Sequence, residues 1–132
     1  MADYTAASID DMETFYKGLF RKARATLGVR SFGLAVVELA PHADNHPLHD
    51  HPGDQEEVFV VLRGTGELVV DGENVPLAPE SIVRVGPEAK RQIKPGADGM
   101  RLLAIGGTPG KAYTAPGYTE LGAPDPLASP AA

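Results

Sequence analysis

The sequence contains no cysteine and no tryptophan among its 132 residues. Without cysteine, disulfide bonds, thiolate zinc sites and cysteine nucleophiles are excluded. The lack of disulfides suits a reducing compartment. Apolar runs extend over only a few residues, far short of the ~20 that a membrane-spanning helix requires. We therefore expect a soluble protein that does not enter a membrane.

Basic residues are also few. The 12 Lys and Arg are outnumbered by 18 Asp and Glu, which gives a net charge of −6. No block of Lys or Arg offsets this acidity, so the surface should repel phosphate backbones, and nucleic acid is not an expected partner. The first residues, MADYTAASIDDMETF, are acidic where a signal peptide is basic, and no apolar region follows. We expect a cytoplasmic protein.

Glycine and proline, by contrast, are plentiful, with 15 and 12 copies. This content predicts many turns between short strands. Segments rich in β-branched residues occur at regular spacing, and Asp71-Gly72 is a strong signal for a two-residue hairpin turn. The predicted strands cover residues 31–39, 57–63, 67–70, 74–77, 81–85, 90–94 and 101–105. Short strands without intervening helices predict an all-β sandwich or closed barrel.

The N-terminal region has a different pattern. Apolar residues recur with a 3.6-residue period over residues 12–27, which predicts an amphipathic α-helix with Ser8 as its N-cap and Gly28 at its end. We expect this helix to pack on the outside of the barrel or on a second subunit. The predicted organisation is a helical extension (residues 1–29), a barrel (30–106) and a Pro- and Gly-rich tail (107–132).

All four histidines lie within ten residues of one another. His49 and His51 are two residues apart, so on an extended chain their rings project to the same face. A pair of acids, Glu56 and Glu57, follows at the head of the next strand. Two imidazoles and one carboxylate form a three-ligand set suited to one divalent metal ion, Fe, Mn, Ni or Zn. His46, which precedes Pro47, is interpreted as a loop residue.

The stretch HDHPGDQEEVFVVLRG resembles the first motif of the cupin superfamily. His49 and His51 match its two histidines, and Gly64 matches its closing glycine. Glu56 has the motif's usual spacing from the histidines, whereas Glu57 has the usual spacing from the glycine. Glu57 is the preferred ligand, because a strand fixes which side chains face inward and a turn can absorb an extra residue.

The stretch LAPESIVRVGPEAKRQI matches the second cupin motif less well. Arg91 stands where that motif carries a third histidine ligand, and a guanidinium has no lone pair to give a metal. We expect Arg91 to supply positive charge to a substrate. Arg84, between Val83 and Val85, either points outward, which is the preferred interpretation, or points inward as a second contact to an anion. Phe59, in phase with Glu57, should line the apolar wall of the pocket.

The resemblance implies a double-stranded β-helix of jelly-roll type, here with an N-terminal α-helix, that forms a homodimer and holds the metal inside the barrel. It also implies a small-molecule ligand. The preferred hypothesis is a metal-dependent enzyme, dioxygenase-like or isomerase-like, acting on a small anionic substrate; no catalytic residue beyond the metal ligands is identified. The alternative is a non-catalytic binding module whose metal is structural or absent. Fold alone does not decide between them.

Overall fold

In the computed structural model, which describes residues 2–50 and 54–127, most of the regular secondary structure is antiparallel β-strand. The helical segments are one α-helix, α1 (Ala23–Leu27), and two 3-10 turns, Ile9–Asp11 and Gly117–Thr119. The strands in the described part of the chain are β1 (Thr14–Phe15), β2 (Phe20–Arg21), β3 (Gly33–Leu39), β4 (Glu56–Val70), β5 (Glu73–Leu77), β6 (Ile82–Val85) and β7 (Arg91–Gly107).

Two long strands, β4 and β7, organise the sheet. They pair antiparallel over most of their length, with register shifts near Arg63 and Gly64. β6 pairs with the first part of β4 and β5 with its last part, while β3 pairs with the second half of β7. The strand order is β1-β2-β3-β7-β4-β5, and within residues 2–50 and 54–127 no pairing closes the sheet. The all-β prediction is confirmed, but the sheet is not closed into a barrel by hydrogen bonds.

Glycine is required where β4 bends. Gly64 has a φ of +84°, and a Cβ built there would lie 2.0 Å from the carbonyl oxygen of Gly99 on β7. The strands therefore approach each other at this point more closely than any side chain allows. The predicted hairpin turn is also present, since Asp71 and Gly72 both have positive φ.

The core lies between the inner faces of the strands. Its members are almost fully inaccessible to solvent and are mostly aliphatic residues at alternating strand positions. The main cluster is Leu19, Val37, Leu39, Phe59, Val61, Leu68, Leu77, Val85, Ile93, Met100 and Leu102. Phe59 and Val61 are both in it, as the period-2 pattern of β4 predicts.

The prediction of a long N-terminal helix over residues 12–27 is wrong. Residues 14–21 form a β-hairpin, β1-β2, whose second strand pairs with β3. The turn uses Tyr16, Lys17 and Gly18, all with positive φ, a conformation that no α-helix contains. Ser8 precedes a 3-10 turn and makes no side-chain cap. The helical spacing does mark buried residues, but pairing with the edge of β3 outweighs local helix propensity.

The N-terminal segment is consequently part of the sheet. The C-terminal tail also packs on it, because Asp125 accepts hydrogen bonds from the backbone N–H groups of Tyr16 (3.0 Å) and Lys17 (2.8 Å). These hydrogen bonds hold the pKa of Asp125 below its usual value. Among the described residues, no helix has the length and apolar character needed to cross a membrane.

Candidate ligand-binding site

A cavity of about 520 Å³ opens beside the inner face of the sheet. Strand register creates one wall, because Glu57 lies opposite Gly106 and Phe59 opposite Ala104, and all four residues line the cavity. The volume falls within the usual range for small-molecule sites, ~300–1,000 Å³. The polar side chains at one end are His46, His49, Gln55 and Glu57.

His49 is positioned by an isolated β-bridge to the first residue of β7. Its backbone N–H donates to the carbonyl of Arg91 (3.1 Å), and the N–H of Arg91 donates to the carbonyl of His49 (2.8 Å). The ring Nδ1 donates to the carbonyl of Pro47 (2.9 Å), and Nε2 lies 3.7 Å from Glu57 Oε1. Hydrogen bonding with Glu57 raises the pKa of His49, although burial opposes the shift.

Glu57, rather than Glu56, faces the cavity. Glu56 lies on the opposite side of β4, where it pairs with Arg84, whose side chain is 63% exposed. This is the orientation that we predicted for the two acids from the alternation of side chains along a strand. Arg84, on β6, is paired with Val58 of β4 and points to the outside with Glu56. The structure therefore does not bring Arg84 to the cavity.

Arg91 lies behind Glu57 and is not part of the cavity wall. Its side chain is completely buried (0% exposed), with Nη1 3.2 Å from Glu57 Oε1 and Nη2 donating to the carbonyl of Gly86. Its Nε is buried and has no hydrogen-bond partner among residues 2–50 and 54–127. The expectation that Arg91 contacts a substrate conflicts with this placement, because its charge is already directed at Glu57.

His46 is the residue that sequence interpretation missed. Rather than a solvated loop residue, it is 2% exposed, and its ring lines the cavity. Its Nδ1 accepts a hydrogen bond from the backbone N–H of Ile93 (3.0 Å). Burial lowers the pKa of His46 to about 4. No local signal identifies this residue, because its partner is 47 positions away along the chain.

The hairpin and the C-terminal tail also contribute residues to the cavity lining. Tyr118 contacts Phe15 and Tyr16, with ring centroids 5.8 and 5.6 Å apart. Hydrogen bonding to Tyr118 raises the pKa of Tyr16 to about 12. Tyr113 also lines the cavity, and burial raises its pKa. The sequence signal for the contact between the tail and the hairpin is the presence of isolated aromatic residues in a Pro-rich tail.

Three of the predicted site residues, His49, Glu57 and Phe59, meet in the cavity. His51, the second predicted metal ligand, lies outside the described residues. Within the described ranges there is no group of three or more His, Cys, Asp or Glu residues arranged to hold a metal ion.

Comparison with known proteins identifies the fold. A cupin protein from Bacteroides fragilis is 25% identical, with a TM-score of 0.69 over 86% of this chain and 93% of that chain. A sugar phosphate isomerase of the cupin superfamily from Silicibacter pomeroyi is 20% identical, with a TM-score of 0.64 over 76% and 74%. A predicted oxalate decarboxylase from Thermotoga maritima is 22% identical, with a TM-score of 0.51 over 58% and 65%.

No curated protein sequence gives a significant match. The sequence profile of the cupin domain, however, matches residues 35–106, more than half of the chain. The matched region contains β4, β5, β6, nearly all of β7 and most of β3, and both residues of the Glu57–Arg91 pair. This chain therefore belongs to the cupin family.

Proposed function

We propose that this cupin binds a small organic molecule in the cavity, with the polar end of the molecule at His46, His49 and Glu57. The observation that supports this most directly is the cavity itself. Its volume is about 520 Å³, and it combines an extended apolar wall with polar side chains at one end. That combination is typical of small-molecule sites, where a few polar groups orient an otherwise apolar ligand.

The proposed site does not depend on a metal. The Arg91 guanidinium, 3.2 Å from Glu57, already provides the positive charge that this largely buried carboxylate needs. His49 Nε2 lies 3.7 Å from Glu57 Oε1, and the pair has the composition of a general acid–base couple whose proton would be relayed through a bound ligand or water. Isomerase-like proton transfer is therefore the reaction type that this proposal favours, if the bound molecule is also transformed.

A fragment titration followed by amide NMR tests the binding proposal. Single-ring and two-ring organic compounds are added to two samples of the protein, one untreated and one treated with EDTA. We expect chemical-shift changes at Gln55, Ala104 and Gly106, which line the cavity, and smaller changes at the outward-facing Arg84. If no compound perturbs the cavity amides, or if all binding disappears with EDTA, the metal-independent proposal is wrong.

A second candidate is the metal-dependent enzyme with His49, His51 and Glu57 as ligands. The tautomer of His49 favours it, because Nδ1–H bonded to Pro47 leaves a lone pair on Nε2. The 3.7 Å between Nε2 and Glu57 Oε1 is close to the separation of roughly 3.4 Å expected for two ligands of one tetrahedral ion. A bound ion would supply Lewis acidity or a dioxygen-binding position.

The spacing of His49 and Glu57 is thus compatible with a metal ion, but Arg91 opposes it. A guanidinium 3.2 Å from the ligating carboxylate competes with a cation for the same oxygen. Calorimetric titration of Ni(II) or Zn(II) into tag-free apoprotein tests the candidate. We expect Glu57→Ala to weaken binding at least tenfold and the matched Glu56→Ala to leave it unchanged. If the wild type binds no metal, or Glu56→Ala is the damaging change, this candidate is wrong.

The homodimer expected from the family resemblance is part of the proposal, and sedimentation equilibrium of the pure protein tests it. A monomer at all concentrations would contradict it.

A further inference from the structure

Aromatic side chains are rare in this chain and concentrated at one place. The sequence contains four Phe and four Tyr. Six of these eight residues line the cavity: Phe15, Tyr16, Phe20, Phe59, Tyr113 and Tyr118. They come from the hairpin, from β4 and from the tail, which are far apart in sequence. A flat ring inserted among them would gain stacking and edge-to-face contacts beyond the burial of its area.

The cations around the cavity already have carboxylate partners. Lys22 Nζ lies 2.9 Å from Glu13 Oε1, and Arg24 Nη2 lies 2.7 Å from Glu120 Oε1. Both cations contribute to the cavity lining. Arg91, behind the wall, is paired with Glu57 in the same way. An anionic ligand would have to compete with these built-in carboxylates, so the charge distribution favours a neutral molecule.

His46 presents a hydrogen-bond donor of fixed identity. Because its Nδ1 accepts from the Ile93 N–H, the proton of the neutral ring is on Nε2. The ring lines the cavity and is held by contacts with Phe20, His49 and Phe59, at centroid distances of 6.3, 5.5 and 6.5 Å. An acceptor atom on a ligand can satisfy this N–H, whereas a second donor would leave both groups unpaired.

Gln55 is a second polar contact whose position depends on a glycine. A Cβ on Gly106 would lie 2.5 Å from Gln55 Nε2, so the amide occupies space that only glycine leaves free. Both residues line the cavity. The Gln55 amide therefore lies against the same wall as Glu57, whose backbone pairs with Gly106.

We propose that the ligand of this cavity is a neutral aromatic molecule carrying an oxygen acceptor, such as a carbonyl, that accepts a hydrogen bond from His46 Nε2. This inference rests on the proposed small-molecule function and specifies its ligand class. It replaces the small anionic substrate that the sequence alone led us to expect, because the arginines assigned to an anion do not reach the cavity.

Three matched two-ring probes test the inference by amide NMR titration: 2-acetylnaphthalene, 2-ethylnaphthalene and 2-naphthoate. The ketone is neutral and carries a hydrogen-bond acceptor. 2-Ethylnaphthalene is neutral and carries no such acceptor, and 2-naphthoate is anionic. We expect the ketone to bind about fivefold tighter than 2-ethylnaphthalene, the size expected for one neutral hydrogen bond. We expect 2-naphthoate to bind no tighter than the ketone.

Two variants assign the preference to His46. In His46→Phe, which keeps a ring but has no N–H, the ketone and 2-ethylnaphthalene should bind equally. In His46→Gln, whose amide can accept from Ile93 and donate to the ligand, part of the preference should return. A wild-type affinity ratio near one would overturn the inference, as would tenfold tighter binding of 2-naphthoate. These wild-type comparisons need no variant. Absence of binding by all three probes would instead overturn the proposed function.

Discussion

Arg91 and Glu57 form an ion pair inside the protein, with Nη1 and Oε1 3.2 Å apart and the arginine side chain fully buried. The two residues lie on different strands, β7 and β4, and are separated by 34 positions in the sequence. In the sequence comparison with the cupin motifs, Glu57 and Arg91 stand at the positions of the acidic ligand and of the third histidine. The pair connects the stability of the fold to the chemistry of the site.

Removing the arginine should destabilise the protein. Arg91→Met leaves a largely buried carboxylate without its cation, and breaking one partner of such a pair costs about 3 kcal/mol or more. The double variant Arg91→Met/Glu57→Gln should lose less unfolding free energy than the sum of the losses in the two single variants. The reason is that removing both partners leaves no unpaired charge inside the protein. Urea unfolding gives these free energies. The exposed Arg84→Met should change the free energy of unfolding by no more than about 0.5 kcal/mol. An equally small effect for Arg91→Met would contradict this interpretation of the ion pair.

Replacing Arg91 with histidine should create a better metal site. The change removes a positive charge next to Glu57 and offers a nitrogen lone pair beside His49. We expect Arg91→His to raise the affinity for Ni(II) or Zn(II) at least tenfold, about 1.4 kcal/mol. Calorimetric titration into both apoproteins measures this, with Arg84→His as the control for an added surface histidine. Unchanged metal affinity in Arg91→His would show that the positive charge of Arg91 does not limit metal binding.

Acid should destabilise the protein through His46. Its pKa is about 4 in the folded state, against 6.5 ordinarily. Between those two pH values the unfolded chain binds a proton that the folded protein does not, so stability falls as the pH is lowered. The slope from this one group is at most about 1.4 kcal/mol per pH unit. Unfolding free energies of the wild type and His46→Gln should diverge across this window. Parallel pH profiles would contradict the burial of a neutral ring.

The bend of β4 should not tolerate a side chain. Gly64→Ala combines a φ of +84° with a Cβ that would lie 2.0 Å from the backbone oxygen of Gly99. We expect a loss of about 3 kcal/mol or more, or failure to fold. Gly86→Ala is the matched control, since its Cβ would meet no atom of the described part of the chain within 4 Å. Thermal unfolding of the two variants gives the comparison; similar melting temperatures would refute the steric argument.

Strand patterns were predictable because they depend on neighbouring residues. The alternation along β4 assigns Glu57 and Phe59 to one face and Glu56 to the other, and the structure has this arrangement. Asp71-Gly72 marks its hairpin turn because few residue pairs adopt two successive positive φ values. The prediction of a helix over residues 12–27 failed because the structure of this segment depends on a distant strand. Its apolar residues are buried, but by pairing of the segment with β3.

The sequence by itself determined the β architecture, the cupin motif with its closing glycine at Gly64, and the inward direction of Glu57. Each follows from short-range rules of backbone geometry and side-chain alternation. Only the tertiary structure decided that Arg91 pairs with Glu57, that Arg84 points outward, and that His46 is buried in the cavity wall. These placements depend on contacts between residues 28 to 47 positions apart. The energy of such contacts comes from burial and charge pairing, which no local pattern specifies.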